Sequence, residues 1–151
     1  MSIAFNPDTT ATAIAAVSIS GVTVCNVTNI PQSARMITPI LFPQPEAWLS
    51  DVTQGPKAVS VADAGQSDFS YTLHYVFLLC EAGSGVEQTD LYNSLVSTLK
   101  TVLQTILDND TLAAAVEISL NSMDGIGIVQ DPSGVDFWGA LISLRCVEYA
   151  A

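Results

Sequence analysis

The stretch from Phe69 to Cys80 (FSYTLHYVFLLC) constrains the fold more than any other part of this chain. Phe69, Tyr71, Leu73, Tyr75, Phe77 and Leu79 fall at every second position, the period that puts side chains on one face of a β-strand. The opposite face begins polar with Ser70, Thr72 and His74 and turns apolar at Val76, Leu78 and Cys80. The pattern predicts a strand buried along one face and covered on both faces at its far end. Such a strand needs neighbours to make a sheet and further layers to cover it.

The main cover is encoded next. After Gly83-Ser84-Gly85, Ser84 and Glu87 have the S-x-x-E spacing of a capping box, in which each side chain satisfies a free backbone N–H of the other. Leu91, Leu95, Leu99, Val102 and Ile106, flanked by Tyr92, Val96 and Leu103, then recur at helical spacing up to Asp108-Asn109-Asp110. This predicts an amphipathic helix over Val86 to Leu107 whose apolar stripe packs on the sheet. Two more strands follow, Val116 to Val129, interrupted around Asp124-Gly125, and Val135 to Tyr149, joined by the turn Asp131-Pro132-Ser133-Gly134.

Before the aromatic strand the reading is less regular. Asn6-Pro7-Asp8 offers an N-cap for a short helix over Thr9 to Ser20. Val22, Val24, Val27 and Ile30 alternate with polar residues as an extended segment ending at Pro31. Met36 to Phe42 carries Pro39 inside it, which predicts an edge strand or extended arm. From Pro43 to Asp68, three prolines and two glycines surround the short Val59-Ser60-Val61 β signal, so a long Pro/Gly-rich loop is expected, the kind that is usually functional in a compact domain. The order predicts an α+β fold, a mainly antiparallel sheet packed by one long amphipathic helix, in a single domain over 1–151 with an N-terminal tail at 1–8 and the loop at 43–68.

Composition bears on what this domain does. Hydrophobic residues make up 49% and charged residues 13% of the 151, against ~25% charged in an ordinary domain. Some apolar surface is therefore expected to need a partner. A membrane span does not absorb it, because no stretch approaches the ~18 uninterrupted apolar residues of a spanning helix. No Lys or Arg precedes the first apolar segment, so the N-terminus does not read as a secretory signal and the chain reads as intracellular in origin. Fifteen acidic residues against Arg35, Lys57, Lys100 and Arg145 give a net charge of −11. A chain so poor in cations does not grip phosphates, but its sign suits a surface past which DNA slides.

The candidates for chemistry are weak. Cys25, Cys80 and Cys146 each lie among strand-like apolar residues, as reduced core cysteines do, and no C-x-x-C pair offers a zinc site. His74, the single histidine, lacks a recognisable nucleophile and orienting acid, which favours a structural or interface role. Gly83-Ser-Gly85 and Gly125-Ile-Gly127 complete neither a Gly-Lys-Ser/Thr nor a G-x-G-x-x-G motif. Asp124 and Asp131 read as solvated turn aspartates. No catalytic, cofactor or metal site is expected. Trp48, in Pro45-Glu46-Ala47-Trp48-Leu49 with Leu41 and Phe42 upstream, either folds back onto the core or anchors in a neighbouring subunit; Leu41, Phe42, Trp48 and Leu49 are the candidate subunit-interface residues.

The N-terminal helical segment, the Pro-punctuated Ile37-Thr38-Pro39-Ile40-Leu41-Phe42-Pro43-Gln44-Pro45, the aromatic strand, the amphipathic helix and the terminal hairpin ending Phe137-Trp138-Gly139-Ala140-Leu141-Ile142-Ser143-Leu144 together resemble the tail terminator, or tail completion, proteins of tailed bacteriophages. The resemblance spans about Thr9 to Tyr149 and lies in arrangement, with no signature residue. It implies a non-enzymatic virion protein of the neck, assembled in the host cytoplasm, without cofactors. Such a protein forms a homo-oligomeric, hexameric ring that caps the tail tube, meets tail tube protein and head connector proteins, and lets DNA through without specific binding. The long loop leaves another neck component, a head-closure or adaptor protein, as an alternative. A small-ligand or peptide-binding module, with the loop as lid over an apolar pocket, is the alternative from a different class.

Overall fold

The computed structural model describes residues 3–4, 6–34, 38–44, 53–54, 67–83, 88–108 and 116–148. In chain order these form β1 (Ile3–Ala4), α1 (Pro7–Ala15), β2 (Thr23–Val24), a 3-10 turn (Val27–Asn29), β3 (Ile40–Pro43), β4 (Thr53–Gln54), β5 (Ser67–Glu81), α2 (Gln88–Asp108), β6 (Val116–Gln130) and β7 (Asp136–Glu148). The fold is α+β. One mixed sheet has the strand path β2-β3-β5-β7-β6, with β1 and β4 pairing onto β5. The pairs β3/β5, β4/β5, β5/β7 and β6/β7 are antiparallel, whereas β1/β5 and β2/β3 are parallel.

The aromatic strand sits inside the sheet, with β7 on one side and β3 and β4 on the other. Tyr71, Leu73, Tyr75 and Phe77 pack with Ala140, Ile142, Leu144 and Cys146 of β7 beneath Ala11 and Ile14 of α1 and Leu95, Leu99, Val102 and Ile106 of α2. On the opposite face Thr72 is also buried, but an apolar core forms only where the sequence turns apolar. Val76 and Leu78 join Ile40, Phe42 and Phe137 in a second core roofed by Cys25 and Ala34. This matches the expectation that one end of the strand is covered twice. β5 and β7 approach closely at Gly139: a Cβ there would lie 2.0 Å from the Phe77 carbonyl oxygen, beside the bulge between Leu78 and Cys80.

Several boundaries differ from the sequence reading. α1 begins at Pro7, whose fixed φ suits the first helical position, and ends before Val17-Ser18-Ile19, where β-branched and hydroxyl residues weaken a helix. Its N-cap Asn6 makes no side-chain cap bond. The Asn6 backbone N–H and side-chain amide instead donate to the Glu148 carboxylate at the end of β7, the latter at 3.1 Å. After β2 the chain curls into the 3-10 turn instead of staying extended, because the side-chain Oδ1 of Asn29 accepts from the Asn26 N–H and the side-chain Oδ1 of Asn26 from the Val27 N–H, both at 2.7 Å. β3 starts just after the cis Thr38-Pro39 peptide. It is not an edge strand at Ile40 and Leu41, which are flanked by β2 as well as β5, since Pro39 precedes the paired residues. α2 runs from Gln88 to Asp108, and the Ser84/Glu87 pair lies outside the described residues. The same holds for Val59-Ser60-Val61 and most of the 43–68 loop, although Thr53–Gln54 pairs as β4.

Candidate functional site

Of the four interface candidates, Leu41 and Phe42 are among the described residues, and neither is exposed. Leu41 and Phe42 point to opposite faces of β3, Leu41 into the core beneath the helices and Phe42 into the second core, and both are buried in this chain's own interior. Trp48 and Leu49 lie outside the described residues.

Surface apolar area gathers elsewhere. The exposed large hydrophobic residues among those described are Val96 of α2, Leu120, Ile126 and Ile128 of β6, and Leu141 of β7, at 37–51% exposure. Val96 and the three β6 residues lie on the helix side at the β6 end of the sheet, whereas Leu141, opposite Val76, faces the other side. Register explains the grouping: Leu120 is opposite Leu144, Met123 opposite Ile142 and Ile128 opposite Trp138, so they share the helix side of the sheet. α2 packs Leu95, Leu99, Val102 and Ile106 on the sheet and buries Ile118 of β6 among them, but leaves Leu120, Ile126 and Ile128 exposed. An open groove of about 490 Å³ results, lined by Val96, Leu99, Leu103 and Leu107 of α2, Met123 and Ile126 of β6, and the polar Lys100 and Gln104. None of its lining residues is acidic.

β6 is also the last strand of the path, and no described strand pairs with its outer edge. Such edges present unpaired N–H and C=O groups to other chains, and bulges blunt them. Here the register shifts between Asp124 and Gly127, with Gly125 at φ 59° and Gly127 at φ 146°, conformations that glycine alone adopts easily. The predicted interruption at Asp124-Gly125 is this bulge within a continuous strand.

No protein-family model matches the chain, and neither does any curated protein.

On the sheet face away from the helices, polar residues bind one another. The Arg145 guanidinium donates to Thr72 Oγ1 at 3.2 Å and Ser70 Oγ at 2.6 Å. Ser122 and Ser143 share a hydroxyl hydrogen bond, and Ser122 donates to Asp124 at 3.2 Å. His74 is half-buried on β5 opposite Ser143, and its carbonyl accepts from the Gln44 N–H at 2.8 Å. These contacts knit β5, β6 and β7 together. No group of three or more His, Cys, Asp or Glu side chains among the described residues could hold a metal ion. No described helix is long and apolar enough to cross a membrane.

Cys25 and Cys146 are buried free thiols and Cys80 is a half-buried one. Burial raises the Cys25 pKa, and burial with the nearby Glu148 charge pushes that of Cys146 up to about 12, so both are weak nucleophiles at neutral pH. The Tyr71 hydroxyl is bonded to Thr10 Oγ1 at 2.9 Å, joining α1 to β5, and burial pushes its pKa up.

Asp131 corrects the sequence reading. Asp124 is exposed as expected, but Asp131 is buried. Its carboxylate accepts from the Ala34 N–H, the Ser133 N–H and the Val135 N–H, each at 3.0 Å, and from Ser133 Oγ at 2.6 Å. Burial works to raise its pKa, but the bonds from Ser133, Ala34 and Val135 outweigh that and hold it below the usual carboxylate value. It shapes the β6–β7 turn and pins the 34 region over the second core.

The apolar strip on β6 was visible in the sequence only as Ile126 and Ile128 among glycines. One long helix faces several long strands, and the outermost is covered only in part.

Proposed function

We propose that this chain is a structural subunit of the tailed-bacteriophage neck, a tail terminator that closes into a ring with copies of itself, caps the tail tube and meets the head connector proteins. The observation that carries the proposal is the apolar strip gathered at the β6 end of the sheet in a chain of net charge −11 with 49% hydrophobic residues. Subunits of a closed ring hold such area permanently covered, and head-to-tail contacts that close by rotation do so without leaving ends. The acidic balance suits a lumen that repels DNA as it passes. The role asks for no cofactor and no catalytic residue. A head-closure or adaptor subunit is the nearest variant.

The test is negative-stain electron microscopy of the purified protein, alone and mixed with phage tail tubes. Rings with a central hole that also appear at tube ends are expected. Failure to form rings in either condition overturns the reading.

The 490 Å³ groove supports a second reading, a binding module, since it falls within the ~300–1,000 Å³ of small-ligand sites. Its openness and few polar groups weigh against a defined ligand. Saturable stabilisation of a monomer by an apolar ligand, read as a rise in Tm, would favour that reading.

A further inference from the structure

Resting on the ring reading and extending it, we infer that the strip formed by α2 and β6 is the surface on which a second copy of this chain sits, and that it is the side of the subunit contact centred on Val96, Met123, Ile126 and Ile128.

Charge selects the occupant. Copies carrying −11 each repel one another, so they meet where carboxylates are fewest and apolar area is greatest. The α2/β6 groove has both properties. Its lining contains no acid, and it holds Lys100, one of only four basic residues in the chain. A second copy therefore meets less like-charge repulsion here than against an acid-bearing surface, and Lys100 can pair with a carboxylate that it brings.

Area points the same way. The exposed Val96, Leu120, Ile126 and Ile128 lie beside the half-buried Leu103, Leu107 and Met123, so the apolar side chains left in water are grouped where a second copy can cover them together.

The bulge defines the mode of contact. By breaking the outer edge of β6 at Gly125 to Gly127, it disfavours a sheet that runs on through successive copies, a route to open fibres. The copy docks against side chains beside the edge.

The test is sedimentation velocity over a protein concentration series for wild type, Ile126→Asp, Val96→Glu and a control, Ser18→Asp. Ser18 is exposed and is not among the groove residues. Far-UV circular dichroism and Tm check folding; the two target side chains are 44% exposed, so both variants should fold. The inference expects an oligomer in wild type and Ser18→Asp, and self-association weakened roughly 30-fold or more in each target variant, the loss carried by a central interface residue. Oligomers unchanged by both substitutions overturn the inference and leave the ring reading standing. A wild-type dimer that the substitutions dissolve supports the inference and removes the ring. A monomer at every concentration overturns the second copy as occupant.

Discussion

Replacing Asp131 with Ala tests how the β6–β7 turn and the second core are held. The substitution removes one carboxylate and leaves four donors without their acceptor. The Ala34 N–H belongs to a fully buried residue, and orphaning such a group costs ~1–3 kcal/mol. Ser133 is exposed and Val135 half-buried, so water recovers part of their bonds and their loss costs ~0.5–1 kcal/mol each. The expected total is about 3 kcal/mol, or about 6–12 °C in Tm for a domain of this size. Urea unfolding followed by circular dichroism measures it, at one fixed protein concentration because self-association would couple to stability. Asp131→Asn keeps one side-chain oxygen and should lose about half as much. The pH dependence is a second reading of the same carboxylate. Its pKa is lower folded than unfolded, so its stabilisation is complete above the ordinary Asp value of ~3.9 and is lost as pH falls through the folded value. The difference between wild type and Asp131→Asn should therefore shrink as the medium is acidified through that window. An Asp131→Ala protein within ~0.5 kcal/mol of wild type, the range of a neutral surface change, would refute the assigned role.

Other expectations follow from single contacts. Gly139→Ala places a Cβ against the Phe77 carbonyl oxygen and must displace backbone, so a loss of about 3 kcal/mol or more is expected in the same urea assay. Val102→Ala empties a fully buried site between α2 and the sheet and should lose ~2 kcal/mol, toward the low end for core truncations because Val is the smaller side chain. Tyr71→Phe removes the bond to Thr10 and should cost ~1 kcal/mol, with hydrogen exchange accelerated in α1 more than in α2. Under native conditions a thiol reagent should modify Cys80 before Cys25 and Cys146, read by mass spectrometry of the labelled peptides.

What the sequence disclosed depended on how local the cause was. β5, α2 and the β6–β7 hairpin were legible because each writes its own period or turn chemistry over many residues. The curl at Val27–Asn29 was not, since side-chain bonds of Asn26 and Asn29 to nearby backbone N–H groups overrode an alternating pattern. The burial of Asp131 was hidden for a different reason: its partner Ala34 is far away in sequence, and turn aspartates are usually wet. Gly139 looked like any strand glycine until β5 was laid against it. The candidate site was the least legible. Leu41 and Phe42 are apolar residues near prolines, a pattern shared by exposed arms and buried short strands, and the partners that bury them come from β2 and β5. Conversely, nothing local distinguishes Ile126 and Ile128 from buried strand residues, and their exposure depends on how much of β6 the helix α2 covers.

Self-assembly through the uncovered end of the sheet is the centre of this account. Light scattering coupled to size-exclusion chromatography, run on the full-length protein over a concentration series, measures it most directly. A discrete species of several subunits, near six for the tail terminator reading, whose mass holds steady on dilution, is the expected result. A mass of 15.9 kDa at every concentration, the value of a single chain, would contradict it.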